Sequence, residues 1–272
     1  MRGMPNGHDE MDTSESSKRG RWSRDQLKLA FYLYCQLPFG KLHSKNSDIV
    51  ALAHRIGRTP SAVAMKLSNF ASLDPSITGS GRKGLEGASQ LDRDVWNEFN
   101  ADWERLAVES AVLMSDAEGI GLTIQDEWKI EFDDFTGETR PAIVEQRVKQ
   151  GFFRRAVLSS YRGRCCMSGV DVPTLLVASH IIPWSKDKAN RLNPRNGLCL
   201  SAIHDRAFDQ GFITLTNDLR VLVSRPLRES VNEFIRATFS TLHQRAIERP
   251  ERFVPERAFL DWHRDVRFVG EG

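Results

Sequence analysis

The sequence lacks the features that mark membrane-spanning, secreted or strongly charged proteins. Its four cysteines include the adjacent Cys165 and Cys166, so they do not form the spaced framework of a disulfide-rich secreted domain. No apolar run approaches the length of a membrane span, and the polar N-terminus lacks the apolar core of a signal peptide. The formal net charge is only +2, which is too small for binding by bulk charge. We therefore expect a cytoplasmic protein with no membrane segment.

Composition along the chain predicts two domains. Residues 1–18 are polar and have few large apolar side chains, which predicts a disordered tail. Residues 19–115 carry helical patterns, and residues 116–140 form a connector of weak periodicity with a candidate short strand at 128–132. Residues 141–272 mix helical and strand patterns. The sequence therefore predicts the α+β class, with a helical N-terminal domain and a mixed C-terminal domain.

Cap signals divide the N-terminal domain into helices. Ser23 and Ser89 are each followed three residues later by a side chain that completes a capping box, and Thr59 precedes a proline. Helices are expected after Ser23, over 47–56, after Thr59 and over 91–115. The apolar side chains at helical spacing are Leu27, Phe31, Tyr34, Cys35, Ile49, Leu52, Ala53, Ile56, Val63, Leu67, Phe70, Val95, Phe99, Trp103, Leu106 and Leu113.

The C-terminal domain begins with a helical pattern over 141–161. A strand over 174–180, a long loop, a helix over 201–208 and a strand over 211–216 follow. Two strands with one helix across them can bring three residues of the loop and its flanks together. These residues are His180, Asn196 and His204.

Each of these residues has an ordinary interpretation and a chemical one. His180 is either a half-buried polar residue at a strand end or a general base that takes a proton from water. Asn196 in "RNGL" is either a turn residue or an amide that holds the loop or contacts a metal. His204 is either a helix cap or a ligand of a divalent ion. Asp205 and Asp209 are either solvated carboxylates or the oxygen ligands that a hard cation prefers.

Together, the stretch "ASHIIPW…NPRNGLCLSAIHDRAFDQGFITL" resembles the His-Asn-His (HNH) endonuclease motif on the ββα-metal fold. The likeness is closest to bacterial restriction-type nucleases. It extends over the flanking "QRVKQGFFRRAVLSSYRGRCCMSGV" and "FLDWHRDVRFVG", and so covers about residues 141–268. The resemblance implies phosphodiester hydrolysis with one divalent ion, Mg²⁺ or Mn²⁺. It makes His180 the general base, Asn196 the central Asn and a candidate metal ligand, and His204 the metal-binding histidine.

The chain departs from the family pattern at two places. Ser179 stands where many HNH enzymes have an acidic or histidine metal ligand. Either Ser179 holds the ion weakly, or a carboxylate such as Asp209 or Asp205 compensates. Many relatives also bind a structural zinc with two Cys-x-x-Cys pairs, but here the first pair is reduced to Cys165 with Ser168 and the region of the second keeps only Cys199. We therefore predict no structural zinc.

The N-terminal "RWSRDQLKLAFYLYCQL…NSDIVALAHRIGRTPSAVAMKLSNF" resembles, more loosely, a Myb/SANT-type helical unit. In such units the last helix can enter the major groove of DNA. A protein-binding or purely structural bundle is the alternative. The candidate DNA-contacting residues, in this unit and in the HNH motif, are Arg21, Arg24, Thr59, Ser61, Lys66, Lys186, Arg191, Arg195 and Arg206.

The resulting hypothesis is a metal-dependent endonuclease that acts on double-stranded DNA in restriction or phage defence. A homodimer is expected, because cutting both strands with a single-site nuclease requires two active sites. One alternative is a DNA-binding regulator that keeps the fold without cleavage, which Ser179 favours and the three motif residues oppose. The other is a homing-type, nonspecific or RNA-cutting nuclease.

Overall fold

The computed structural model describes residues 20–82, 84–85, 87–115 and 140–270. The predicted tail and nearly all of the predicted connector, with its candidate strand, lie outside these residues. The helices are α1 Arg24–Gln36, α2 Ser47–Arg55, α3 Pro60–Leu73, α4 Pro75–Thr78, α5 Gln90–Ala101, α6 Trp103–Ser115, α7 Arg140–Ser160, α8 Ala202–Asp209, α9 Arg225–Arg228, α10 Glu233–Phe239 and α11 Arg257–Val266. The strands are β1 Leu176–His180, β2 Gly197–Ser201, β3 Ile213–Leu215 and β4 Val221–Val223, and short 3-10 turns lie at Phe39–Lys41, Pro173–Leu175, Pro194–Asn196 and Ser240–Leu242.

The predicted caps start the N-terminal helices. The Ser23 hydroxyl accepts a hydrogen bond from the Gln26 backbone N–H, and the Gln26 side chain accepts one from Ser23 N–H. Thr59 caps α3 in the same way, with Pro60 in its first turn, and Ser89 caps α5. Because the caps fix where each helix begins, the apolar side chains predicted from periodicity face a common core.

The single helix predicted over 91–115 is wrong, because the chain breaks at Asp102. Asp102 leaves helical geometry with φ −146° and ψ 83°, and its side chain accepts a hydrogen bond from Arg105 N–H at 3.0 Å, at the start of α6. The break divides the segment into α5 and α6. It lets Phe99 and Trp103 both reach the core, where each is almost fully buried.

The strand pairing predicted for the C-terminal half is also wrong. β1 pairs antiparallel with β2, with Ser179 opposite Leu198 and His180 opposite Gly197. The predicted second strand near 211–216 instead forms a separate hairpin of β3 with β4. All five residues of β2 are buried, so it lacks the alternation that marks a strand in the sequence. A Cβ atom at Gly197 would lie 2.4 Å from the Val157 side chain of α7, and so the close packing of β2 on α7 requires glycine.

Helix α7 joins the N-terminal helices to the hairpin. Phe152 stacks on Tyr32 of α1, with ring centroids 5.3 Å apart. Phe153, the next residue, stacks on His180 of β1. The apolar core is therefore continuous from the N-terminal helices through α7 to the hairpin. Among the described residues no helix is both long and apolar enough to cross a bilayer.

Candidate active site

Two aromatic rings and one hydrogen bond fix the His180 side chain at the end of β1. Its ring lies parallel to Phe153, with centroids 3.8 Å apart and planes 7° apart. The Trp184 ring lies nearly perpendicular to it, with centroids 5.7 Å apart. Nε2 of His180 is 2.9 Å from the carbonyl oxygen of Arg191. Since a carbonyl oxygen can only accept, Nε2 carries the proton and the lone pair of the neutral ring is on Nδ1.

Burial lowers the pKa of His180 below its ordinary value. The hydrogen bond to the Arg191 carbonyl and the nearby Asp209 carboxylate act in the opposite direction, but their effect is smaller. The ring is therefore neutral at neutral pH. A neutral imidazole with a fixed orientation and a lone pair on Nδ1 has the properties of a general base.

Asn196 is fully buried and holds the loop between β1 and β2. Its Oδ1 accepts a hydrogen bond from Ile182 N–H at 2.8 Å. Its Nδ2 donates to Ile182 O at 3.0 Å and to Asn190 O at 3.3 Å. The amide thereby ties the chain just after His180 to the start of β2. This arrangement corresponds to the loop-holding alternative for Asn196.

His204 lies in a different environment from His180. Its Nδ1 is 2.6 Å from Ser201 Oγ and 3.8 Å from Cys165 Sγ. Its Nε2 is buried and has no hydrogen-bond partner among the described residues. The metal-ligand role that the resemblance gives to His204 stays a prediction, for which only Nε2 is available.

The contact between Cys165 and His204 escaped sequence reasoning. Burial alone would raise the pKa of the Cys165 thiol, but hydrogen bonds from His204 and Ser168 lower it to about 6. Burial raises the pKa of Cys199, the cysteine that remains in the region of the second pair, to about 12. The sequence gives no local signal for the contact between Cys165 and His204, because the two residues lie 39 positions apart in the chain. No group of three or more His, Cys, Asp or Glu side chains in the described part of the chain is arranged to hold a metal ion.

Two carboxylates of α8 lie near the end of β1. Asp205 and Asp209 are four residues apart and so share one face of the helix. Burial raises the pKa of Asp205, the charge of Asp209 raises it further, and the Ser179 hydroxyl and Arg206 lower it. The Ser179 Oγ is buried, lies beside Asp205 and makes no regular hydrogen bond. Successive side chains of an α-helix are rotated by about 100° around its axis, so the adjacent His204 and Asp205 side chains lie in different surroundings.

This donor set fits a hard divalent cation. The two carboxylates and the Ser179 hydroxyl are all oxygen ligands, and a bound cation would relieve the repulsion between the carboxylates. Mg²⁺ sites in phosphoryl enzymes commonly have only one or two protein carboxylates, with water and substrate phosphate completing the shell. The arrangement of Ser179, Asp205 and Asp209 therefore suits Mg²⁺ or Mn²⁺ better than zinc.

Four of the nine predicted DNA-contacting side chains are basic groups that have a hydrogen-bond or ion-pair acceptor within the protein. Lys66 and Arg24 form ion pairs with carboxylates of α5. Arg191 donates a hydrogen bond to Trp184 O at 3.0 Å, and Arg195 donates one to an amide oxygen of α5 at 3.2 Å. The remaining five are exposed, namely Arg21, Thr59, Ser61, Lys186 and Arg206, and Thr59 also caps α3.

Comparison with protein families agrees with this geometry. Residues 165–216 match a family model described as HNH endonuclease (HNH_2). The chain carries an HNH endonuclease domain. The match spans the β1–β2 hairpin, α8 and β3, and it confirms the α+β class with the HNH domain in the C-terminal half. No curated protein is significantly similar to the chain. The Myb/SANT likeness of the N-terminal helices stays a prediction.

Proposed function

We propose that the protein is a metal-dependent endonuclease that hydrolyses phosphodiester bonds of double-stranded DNA. The observation that carries this proposal is the neutral imidazole of His180, fixed by Phe153 and the Arg191 carbonyl near the two carboxylates of α8. The HNH match over the same segment supports nuclease chemistry. An HNH endonuclease domain implies nucleic acid as the substrate class.

In the proposed reaction His180 takes a proton from water at Nδ1. The water oxygen then forms a bond to phosphorus, and one ester P–O bond breaks, with the electron pair leaving on the nucleotide oxygen. The hydrogen bond from Nε2 to Arg191 O stabilises the imidazolium formed in this step, and stacking on Phe153 keeps the ring in place. Ser179, Asp205 and Asp209 would hold a divalent ion, which when bound supplies charge stabilisation at the phosphate and the leaving oxygen.

Asn196 acts through His180 in this proposal. Its three hydrogen bonds to the loop fix the chain that follows the histidine. The side chain therefore maintains the position of the base, and we do not place it on the metal.

We further propose a role in restriction or phage defence in the cytoplasm, with the protein acting as a homodimer. The likeness of the motif to restriction-type HNH enzymes supports the role, and the cysteine usage supports the location. The single base of each HNH domain is the reason for the dimer, because cutting both strands at one position would require two such sites.

Incubation of supercoiled plasmid with the protein and Mg²⁺ or Mn²⁺ tests the activity directly. Linear and nicked products that require the metal are expected with the wild type and not with His180→Ala. Cleavage of modified and unmodified phage DNA, followed by sequencing of the ends, then identifies the preferred site. If purified wild-type protein binds DNA and never cuts it, the regulator that Ser179 favours is the better assignment.

A further inference from the structure

The outer face of α7 carries a stripe of basic and amide side chains. Arg147, Gln150 and Arg154 are three and four residues apart, so they follow one another along one side of the helix, and Arg155 lies beside Arg154, about 100° further around it. Arg147, Gln150 and Arg155 are exposed, and Arg154 is half-buried. We call these four residues the α7 stripe.

Two surface clefts meet at the α7 stripe. The first contains the edge of His180 and Trp184 together with Gln150 and Arg154. The second is lined by Arg154, Arg155 and further residues at the C-terminal ends of α1 and α7. Arg154 belongs to both clefts, so the stripe leads directly to the catalytic base. Neither lining, as far as the structure describes it, contains an Asp or a Glu.

Arg154 and Arg155, the two arginines that line the clefts, donate hydrogen bonds to neutral groups. Arg154 donates to the backbone oxygens of Leu176 and Pro173 at 2.9 and 3.1 Å. Arg155 donates to the Tyr32 hydroxyl at 3.3 Å. The acceptors of these three hydrogen bonds are neutral, so the bonds orient the two guanidinium groups without cancelling their charge. Carbonyl-held arginines beside a cleft free of carboxylates favour a phosphate ligand.

We propose that the α7 stripe binds the backbone of the DNA strand that His180 attacks. This inference rests on the proposed function and adds the surface that guides the strand to the base. The rise from Arg147 to Arg155 is about 12 Å at 1.5 Å per residue, which corresponds to roughly three to four nucleotides at 3.4 Å each. Contacts to phosphate groups depend on charge and do not distinguish one base sequence from another. The stripe supplies affinity, and sequence preference comes from another surface.

Binding measurements on exposed members of the stripe test this proposal. Arg147→Ala and Arg155→Ala are made in the His180→Ala protein, so that no DNA is cut. Fluorescence anisotropy with two unrelated labelled duplexes follows affinity over a range of NaCl concentrations. Each variant is expected to bind both duplexes severalfold more weakly and to reduce the slope of log K against log salt by about 0.9. Arg257→Ala removes an exposed arginine from α11 and serves as the matched control, with unchanged affinity and slope.

The two hypotheses fail in different ways. If wild-type protein cuts plasmid and the stripe variants bind with unchanged affinity and salt slope, the stripe is not the strand-binding surface and the nuclease function stands. If the stripe variants lose affinity while wild-type protein never cuts DNA, the strand-binding surface is supported and the nuclease function fails. Loss of affinity for one duplex only would also overturn the proposal, because a phosphate contact acts on both duplexes. Melting temperatures equal to that of the parent protein show that lost affinity is not lost fold.

Discussion

The carbonyl oxygen of Arg191 lies 2.9 Å from Nε2 of His180 and so assigns the basic lone pair to Nδ1. His180→Ala is therefore expected to remove the base and leave DNA binding intact. A positioned general base contributes roughly a hundred- to ten-thousand-fold to the rate. Single-turnover cleavage of a plasmid, with anisotropy of a labelled duplex in parallel, measures both quantities. His54→Ala, which changes an exposed histidine of α2, is the control. Full cleavage by His180→Ala would end the assignment of this residue.

We expect variants of Asp205 and of His204 to respond in opposite ways to added Mn²⁺. We expect Asp205→Asn to weaken cleavage by loss of an ion ligand, so that higher Mn²⁺ concentrations restore part of the rate. His204→Ala removes a buried ring that contacts Ser201 and Cys165, so it is expected to lower the melting temperature, with no rescue by Mn²⁺. A Mn²⁺ titration of the cleavage rate and a melting curve for each variant provide the test.

The reverse pattern would restore the role that the resemblance gives to His204. In that case His204→Ala responds to Mn²⁺ and Asp205→Asn does not. Nε2 of His204, the nitrogen without a partner among the described residues, would then be the ligand atom. Asp209→Asn provides an independent check, because it shares the helix face with Asp205 and not with His204.

Removal of the divalent ion is expected to stop cleavage and leave the fold in place. Ligand binding stabilises a fold by about 1.4 kcal/mol at an ion concentration ten times Kd. For a protein of this size that corresponds to a few degrees in melting temperature. Plasmid cleavage and a thermal melt, each with and without EDTA, measure the two effects. Collapse of the fold on chelation would contradict the prediction of no structural zinc, since such sites couple metal binding to folding.

Local signals in the sequence predicted the helices well. Ser23, Thr59 and Ser89 each start a helix as the capping pattern indicated, because a cap depends on residues three positions away. The break at Asp102 escaped prediction, since the same apolar periodicity continues on both sides of it. β2 escaped prediction because its residues are all buried and because it begins at the glycine of an Asn-Gly pair, which favours a turn.

The candidate site was predicted in part. The sequence predicts the position of His180 at a strand end, because an apolar run ends there in a charged loop. The same kind of signal is needed to predict the rest of the site. The surroundings of His204 have no such signal, because its neighbour Cys165 lies 39 residues earlier in the chain. Likewise, the partners of Lys66 and Arg195 in α5 depend on how the N-terminal helices pack. Tertiary contacts of this kind have no local signature, which is why several predicted DNA contacts are engaged within the protein.

The contacts between the two halves predict that the nuclease half depends on the N-terminal helices. Arg252 is fully buried and donates hydrogen bonds to the carbonyl oxygens of Tyr34 and Cys35, and Ser159 of α7 also donates to Cys35 O. Deleting residues 1–75 would leave Arg252 without these partners and expose apolar surface of α7. We expect an unfolded or aggregated product, measured by circular dichroism and gel filtration. Deletion of the predicted tail, residues 1–18, is the control, and a folded, active product from the longer deletion would show independent domains.

His263 provides a prediction about pH, because it is buried against the helix that carries Asp205 and Asp209. Its ring lies parallel to Phe208 of α8 at 3.8 Å, and its Nε2 donates a hydrogen bond to Phe208 O at 3.2 Å. The Thr214 hydroxyl lies 2.8 Å from Nδ1. Burial, together with the smaller effect of the Arg267 and Arg264 charges, lowers the pKa of His263 to about 4, although the hydrogen bond to Phe208 opposes this shift.

Between the ordinary histidine pKa near 6.5 and the folded value of about 4, the unfolded chain binds a proton that the folded chain does not. The free energy of unfolding is therefore expected to fall as the pH is lowered through this window, by about 3 kcal/mol in total from this residue. Urea denaturation at a series of pH values measures the slope. His263→Gln removes the titrating group and should flatten the curve by that amount, even if it lowers stability at pH 7. His54→Gln, at an exposed position of α2, should keep the wild-type slope. An unchanged slope in His263→Gln would show that other groups carry the acid sensitivity.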